Sequence, residues 1–387
     1  MNSLWQKKPA LVAFLALLLA SSLTRGLSAS EDKIILFKLD KNGKNEVKVG
    51  HIKGEDASGV VLEERSQQGT VDLIFKPEDI SNIDWSMDDP AYAQDWSEAI
   101  KFYGNGEYSR AAHAFKVITD DKDALDKFRP EAKPCLFFLY GESLSRCGKT
   151  ADAVKIFETL VKDYRNSHYT LKAVGSIVED CIITGEVAKV QPFLEILRSQ
   201  GGERKAWADF YEGKVHQAKK EYSQANKFFG VSSQESNSQE LKGRSLMAQA
   251  ECAIAEDKTQ MARDLAKTSL LTNPPPFVAA GAHLVLGEAL LAESEKQKAS
   301  GVALENMLLD AILEFMHVSL LYGGDRATEP KALFKAAECF LTLSKKCTDR
   351  GYDRQRAFVL YSKLKEDPRW QGTEWANKAN EALEKLR

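Results

Sequence analysis

Two fragments of this 387-residue chain carry residue types suited to phosphate chemistry. The run CGKT, Cys147 to Thr150, ends as a P-loop does, with a lysine for the phosphates and a hydroxyl for Mg2+. A P-loop also requires a glycine five residues ahead of Gly148 and a strand before it; Ser143 fills that place and no β run precedes it. The run GNGEYS, Gly104 to Ser109, opens like a dinucleotide-binding fingerprint, but Ser109 stands where the third glycine belongs. Both fragments therefore read as turns. The histidines His51, His113, His168, His216, His283 and His317 are dispersed, none three or four residues from another, so no HExxH-type metal framework is present; His113 and His216 fall on or beside packing faces. Neither CxxC nor GxSxG occurs. Acidic residues are spread as on solvated helix faces, and no two of them stand out as an acid–base pair. The expectation is a chain without catalytic residues, metal or cofactor, and not an enzyme.

The spacing around those turns shows what positions them. Gly106 is followed at two, five and nine residues by Tyr108, Ala111 and Phe115. The same frame returns as Gly148, Thr150, Ala153, Phe157; as Lys220, Tyr222, Ala225, Phe229; and as Asp257, Thr259, Ala262, Ala266. A degenerate copy offers Gly185, Val190 and Leu194. A small residue, Ala99, Gly141, Gly213 or Ala250, precedes four of these turns by seven positions. Each unit is thus a helix, a tight turn and a second helix. Small residues let the two helices approach, and large ones beside them lock the crossing. Neither helix buries its apolar face alone, so the units must stack.

This pattern resembles the tetratricopeptide repeat (TPR) family. The likeness is carried by Tyr140, Gly141, Leu144, Ala153 and Phe157, and by the unit from Leu246 that closes on Pro274. Two later units are stretched: HLVLGEALL is separated from DAILEFMHVSLLY by a charged insert, and ALFKAAECFL from RQRAFVLYSKL by TLSKKCTDRGYD. The ending DPRWQGTEWANKANEALEKL reads as a last turn and a solvating cap helix, giving five to seven repeats in all. The resemblance implies a groove lined by first helices, with partner contacts from positions not used in packing. Those positions here are Glu142 and Arg146; Trp207, Phe210 and Lys214; and Arg244, Met247 and Glu251.

Residues 33–85 have a β texture: short β-branched runs separated by KNGKN, GEDASG and SQQG, with Ile80, Ile83 and Trp85 at the end. Their pattern resembles small SH3-like or Sm-like barrels. Pro90 breaks the chain before the helices begin. At the start, Lys7 and Lys8, the apolar run Ala10 to Ala20 and the small residues Ser28, Ala29 and Ser30 are the parts of a secretory signal peptide. The run is too short to anchor in a bilayer, and no later segment reads as a span. Cys135 and Cys147 lie on one predicted helix, and ~18 Å of rise between them is beyond disulfide reach. The other cysteines mostly fall in helical apolar patterns, as small buried hydrophobes do.

The expected fold is α+β and multidomain: a signal peptide at residues 1–30, an all-β barrel-like domain at 31–88, and an all-α TPR-type solenoid with a capping helix at 91–387. A net charge of −3, with 43% hydrophobic and 28% charged residues, suits a soluble chain and argues against a nucleic-acid binder working through a basic field. The expected function is that of a periplasmic or secreted scaffold or adaptor binding a protein or peptide partner. Two alternatives stand beside it: a structural subunit of a cell-envelope assembly, and binding of an envelope polymer such as peptidoglycan through the β domain.

Overall fold

The computed structural model describes residues 31–39, 45–56, 58–66, 69–76, 80–87, 90–271, 274–323, 328–370 and 373–386; the expected signal peptide lies outside them. The chain forms two compact units that divide at Glu186/Val187.

The first unit begins with five antiparallel strands: β1 (Asp32–Leu39), β2 (Asn45–Asp56), β3 (Gly59–Ser66), β4 (Gly69–Phe75) and β5 (Ile80–Asp84). Period-two alternation buries Ile34 and Leu36 of β1 and Val60 and Leu62 of β3, and Ile52, Ile80 and Ile83 are buried as well. The sheet order is β4-β3-β2-β1-β5, and the register slips between Ile52 and Gly54 where β2 crosses from one pairing to the other. Among the described residues no ladder joins β4 to β5, so the sheet is open where a closed barrel was expected.

Six helices complete this unit: α1 (Pro90–Gly104), α2 (Tyr108–Asp120), α3 (Lys122–Lys127), α4 (Lys133–Arg146), α5 (Thr150–Asp163) and α6 (His168–Thr184). The sheet is fixed to them by buried charge. Asp32 accepts hydrogen bonds from the Ile52 amide, from the amide and hydroxyl of Ser86, and from Arg129 Nη1, each at 2.8 Å. Arg129 also donates to the Ile52 carbonyl at 3.0 Å and lies over the Trp85 ring. On β2, Glu55 accepts from the His168 amide at the start of α6, and its carboxylate lies 2.6 Å from His168 Nδ1.

The second unit holds α7 (Gln191–Gln200), α8 (Gly202–Ala218), α9 (Tyr222–Glu235), α10 (Gln239–Ala255), α11 (Thr259–Leu271), α12 (Pro276–Lys296), α13 (Gly301–Leu321), α14 (Glu329–Lys346), α15 (Asp353–Glu366) and α16 (Glu374–Leu386). Hairpins α1/α2, α4/α5, α8/α9, α10/α11, α12/α13 and α14/α15 are consecutive packed helix pairs, six among the described residues. At their crossings a Cβ added to Gly141 would lie 2.6 Å from the Phe157 ring, and one added to Gly213 would lie 2.5 Å from Phe229. Gly287 meets Phe315 in the same way, although the charged insert separates them by twelve more residues than the other pairs. Helix α16 packs on α14 and α15 through Ala379 and Leu383, as a cap should. Helix α12 is long and apolar enough to cross a membrane, but 67% of that stretch is buried inside the protein, as in a core helix.

The turns answer the phosphate question. Gly106, Gly148, Lys220 and Asp257 all have positive φ, at 76°, 82°, 62° and 63°, and Lys298 ends α12 likewise at 48°. After each, the next amide returns to the carbonyl five residues back, as Lys149 N does to Leu144 O at 2.9 Å. These amides close helix ends and have nothing left to cradle a phosphate.

Candidate partner-binding face

First helices α8, α10 and α12 pack side by side in the second unit, each exposing the residue that follows its small crossing residue. That residue is Lys214 after Gly213, Glu251 after Ala250 and Glu288 after Gly287. Lys214 Nζ lies 3.7 Å from Glu251 Oε2, which also accepts from Gln217 Nε2 at 2.9 Å. Glu288 pairs at 2.7 Å with Lys331 of α14. Burial alone would raise the Glu251 carboxyl, but the Lys214 charge, the Gln217 amide and the Lys331 charge outweigh it and hold the group below its ordinary value. The result is a row of partly exposed charges, Lys, Glu, Glu and Lys in order, running across successive repeats.

The other expected groove residues of this unit are placed differently. Trp207 and Phe210 are buried, Phe210 against Phe229 and Trp207 against Tyr211, each with ring centroids 5.6 Å apart. Met247 fills the space over Gly281. Arg244 is bonded to Glu240 at 2.9 Å, and its guanidinium lies 4.4 Å from the Phe277 ring and 5.9 Å from that of Trp207. The aromatics thus form a floor on which Arg244 rests.

In the first unit, Glu142 follows Gly141 in the same frame. It accepts from Arg146 Nε at 3.0 Å and from the Tyr103 hydroxyl. Arg146 also donates to the Tyr108 hydroxyl at 3.1 Å and keeps 39% of its side chain exposed. Burial and the Glu142 charge raise the Tyr103 phenol far above its usual range, so it stays a donor. The same unit has an open cleft of about 640 Å³ between α1, α2 and α4, lined by Phe102, His113, Tyr140 and Leu144 among others.

The sequence reading missed Glu288, which the frame specifies once the insert is allowed for, and Lys331, which no spacing marks. It also missed a cluster. Two of the six histidines come together across one hairpin, where His283 of α12 meets Glu314 and His317 of α13. The i, i+3 pair Glu314 and His317 was the available signal. Burial pushes the free thiols of Cys135, Cys252 and Cys339 up to about 12, so they remain protonated and inert at neutral pH.

No family model matches the sequence, and no curated protein matches it. Among solved structures, a tetratricopeptide repeat protein from Parabacteroides merdae superposes with a TM-score of 0.47 at 11% identity, over 77% of this chain and 99% of that one. A human IFIT1 dimer with PPP-AAAA gives a TM-score of 0.41 at 14% identity, over 76% of this chain and 74% of its own. At these scores the likeness carries no weight of its own, and the repeat architecture stands on the packing described above.

Proposed function

We propose that the chain is a non-enzymatic scaffold or adaptor that binds a protein or peptide partner. The observation that carries this reading is the row Lys214, Glu251, Glu288 and Lys331, with Arg244 beside it over an aromatic floor. Paired charges already partly withdrawn from water give up little solvation when a partner covers them, and their Lys-Glu-Glu-Lys order favours a partner of complementary pattern. The net charge of −3 favours a protein partner over nucleic acid. The leader features of residues 1–30 support a periplasmic or secreted location.

The test is affinity capture from an envelope extract with the wild-type chain and with a variant in which Arg146, Lys214 and Arg244 are reversed in charge. The bound partner should be lost from the variant and released from the wild type by salt. Undiminished capture by the variant would remove the groove from consideration.

The structural-subunit reading is favoured by a different observation. Strand β4 is an open edge whose Val71 and Ile74 are 54% and 71% exposed. An apolar edge of this kind accepts an added strand. Sizing of the purified chain separates the two: a transient adaptor elutes as a monomer, and a subunit that pairs through β4 does not.

A further inference from the structure

We propose that His283, Glu314 and His317 form a binding site for one divalent transition cation of the zinc type, independent of the partner-binding face. His283 Nδ1 lies 2.7 Å from Glu314 Oε2, and His317 Nδ1 lies 3.7 Å from the same oxygen. The three ligand atoms are all within 4.8 Å of one another. Bonds of about 2.1 Å in a tetrahedral site put neighbouring ligand atoms about 3.4 Å apart, so small side-chain rotations bring all three onto one ion.

Three further observations point the same way. His317 Nδ1 is buried and has no hydrogen-bond partner, which leaves a ring nitrogen unused inside the cluster. Leaving such an atom unsatisfied is costly, and a metal bond would satisfy it. The imidazoles are held face to edge, with centroids 4.9 Å apart, and the Tyr322 ring stacks on His283 at 5.7 Å. The backbone positions are also rigid: Phe315, packed onto Gly287, sets the α12/α13 register, and Glu314 and His317 flank it on α13.

The donor set selects the metal. Two imidazole nitrogens and one carboxylate suit zinc, cobalt or nickel, whereas magnesium and calcium prefer oxygen throughout. The side chains of His283, Glu314 and His317 keep 14%, 24% and 33% of their surface exposed, so solvent reaches the cluster and a water can complete the coordination. Each coordinating imidazole binds through Nδ1 with its proton on Nε2, so a preformed His283–Glu314 hydrogen bond gives way to the metal by a tautomer change.

The test is a Co2+ titration of the full-length chain purified in chelator, read by visible absorption. The expected result is a saturable signal at one equivalent that Zn2+ displaces and Mg2+ does not. Glu314→Gln keeps the shape and an acceptor for His283 but loses the charge, and with His317→Ala it should weaken binding on the order of ten-fold or more. His113→Ala, in the other unit, should bind as wild type does. Circular dichroism in chelator confirms which variants are folded; should His317→Ala unfold, Glu314→Gln decides alone. Absence of a saturable Co2+ signal, equal displacement by Mg2+, or wild-type affinity in the folded variants would overturn the site.

Discussion

The two units reverse their helices in the same geometry with different residues. In the first, the left-handed position falls to glycine, at Gly106, Gly148 and Gly185. In the second it falls to Lys220, Asp257 and Lys298 in hairpins α8/α9, α10/α11 and α12/α13, although Gly201, Gly202 and Gly301 there also have positive φ. A side chain in that region costs roughly 1–2 kcal/mol relative to glycine, through the clash of Cβ with the following carbonyl. Both units use apolar crossings, Gly141/Phe157 in the first and Gly213/Phe229 in the second, and the first adds a buried ion pair that ties sheet to helix. What the repeat demands is therefore a backbone path and a close crossing, and more than one residue type meets each demand.

The largest effects should come from the two fixing devices. Arg129→Met leaves Asp32 buried beside no cation and should cost about 3–5 kcal/mol. Adding Asp32→Asn should restore a large part of that, as read by urea unfolding. If the single variant unfolds no earlier than wild type, the ion pair does not hold the sheet. Phe229→Ala should cost a comparable 3–5 kcal/mol, by opening a cavity over Gly213. A loss well under that range would mean that the crossing collapses easily and contributes less than its burial suggests.

The turns give smaller and opposite effects. Gly148→Ala should destabilise by about 1–2 kcal/mol, and Lys220→Gly should stabilise by up to about 1 kcal/mol once the added freedom of the unfolded chain is subtracted. Equal signs in the two melting experiments would show that the units do not share the turn. The smallest effect concerns Glu251. A carboxyl held below its ordinary value of 4.5 adds stability above that pH, and the gain fades as acid protonates it. Glu251→Gln should accordingly narrow the gap between neutral and acid melting temperatures, and an unchanged gap would show that Lys214 does not engage it.

The repeat was legible because its frame is short and local. Lys220 and Asp257 could be aligned with Gly106 and Gly148 by their distance from the next alanine, with Phe229 completing the first copy and Ala266 the second, without being glycines themselves. Closure of the sheet was not legible, because alternation along β4 and β5 specifies which face is buried and says nothing of whether two edges meet. Arg129 carried no signal either, since its partner Asp32 lies 97 residues away. In the candidate site, charge could be assigned to Lys214, Arg244 and Glu251 from the frame, yet Trp207 and Phe210 are buried because the next aromatic in space covers them. His283, Glu314 and His317 escaped notice because they lie on two helices joined through an insert.

The lengthening of α12 and α13 has a practical side. Both run to 21 residues, against 13 to 17 for the four helices of the two preceding hairpins. Their Gly287/Phe315 contact lies away from the exposed tip at Gln297 and Lys298. A fluorescent reporter or epitope spliced between those two residues should ride on the end of the hairpin and leave the packed layers undisturbed.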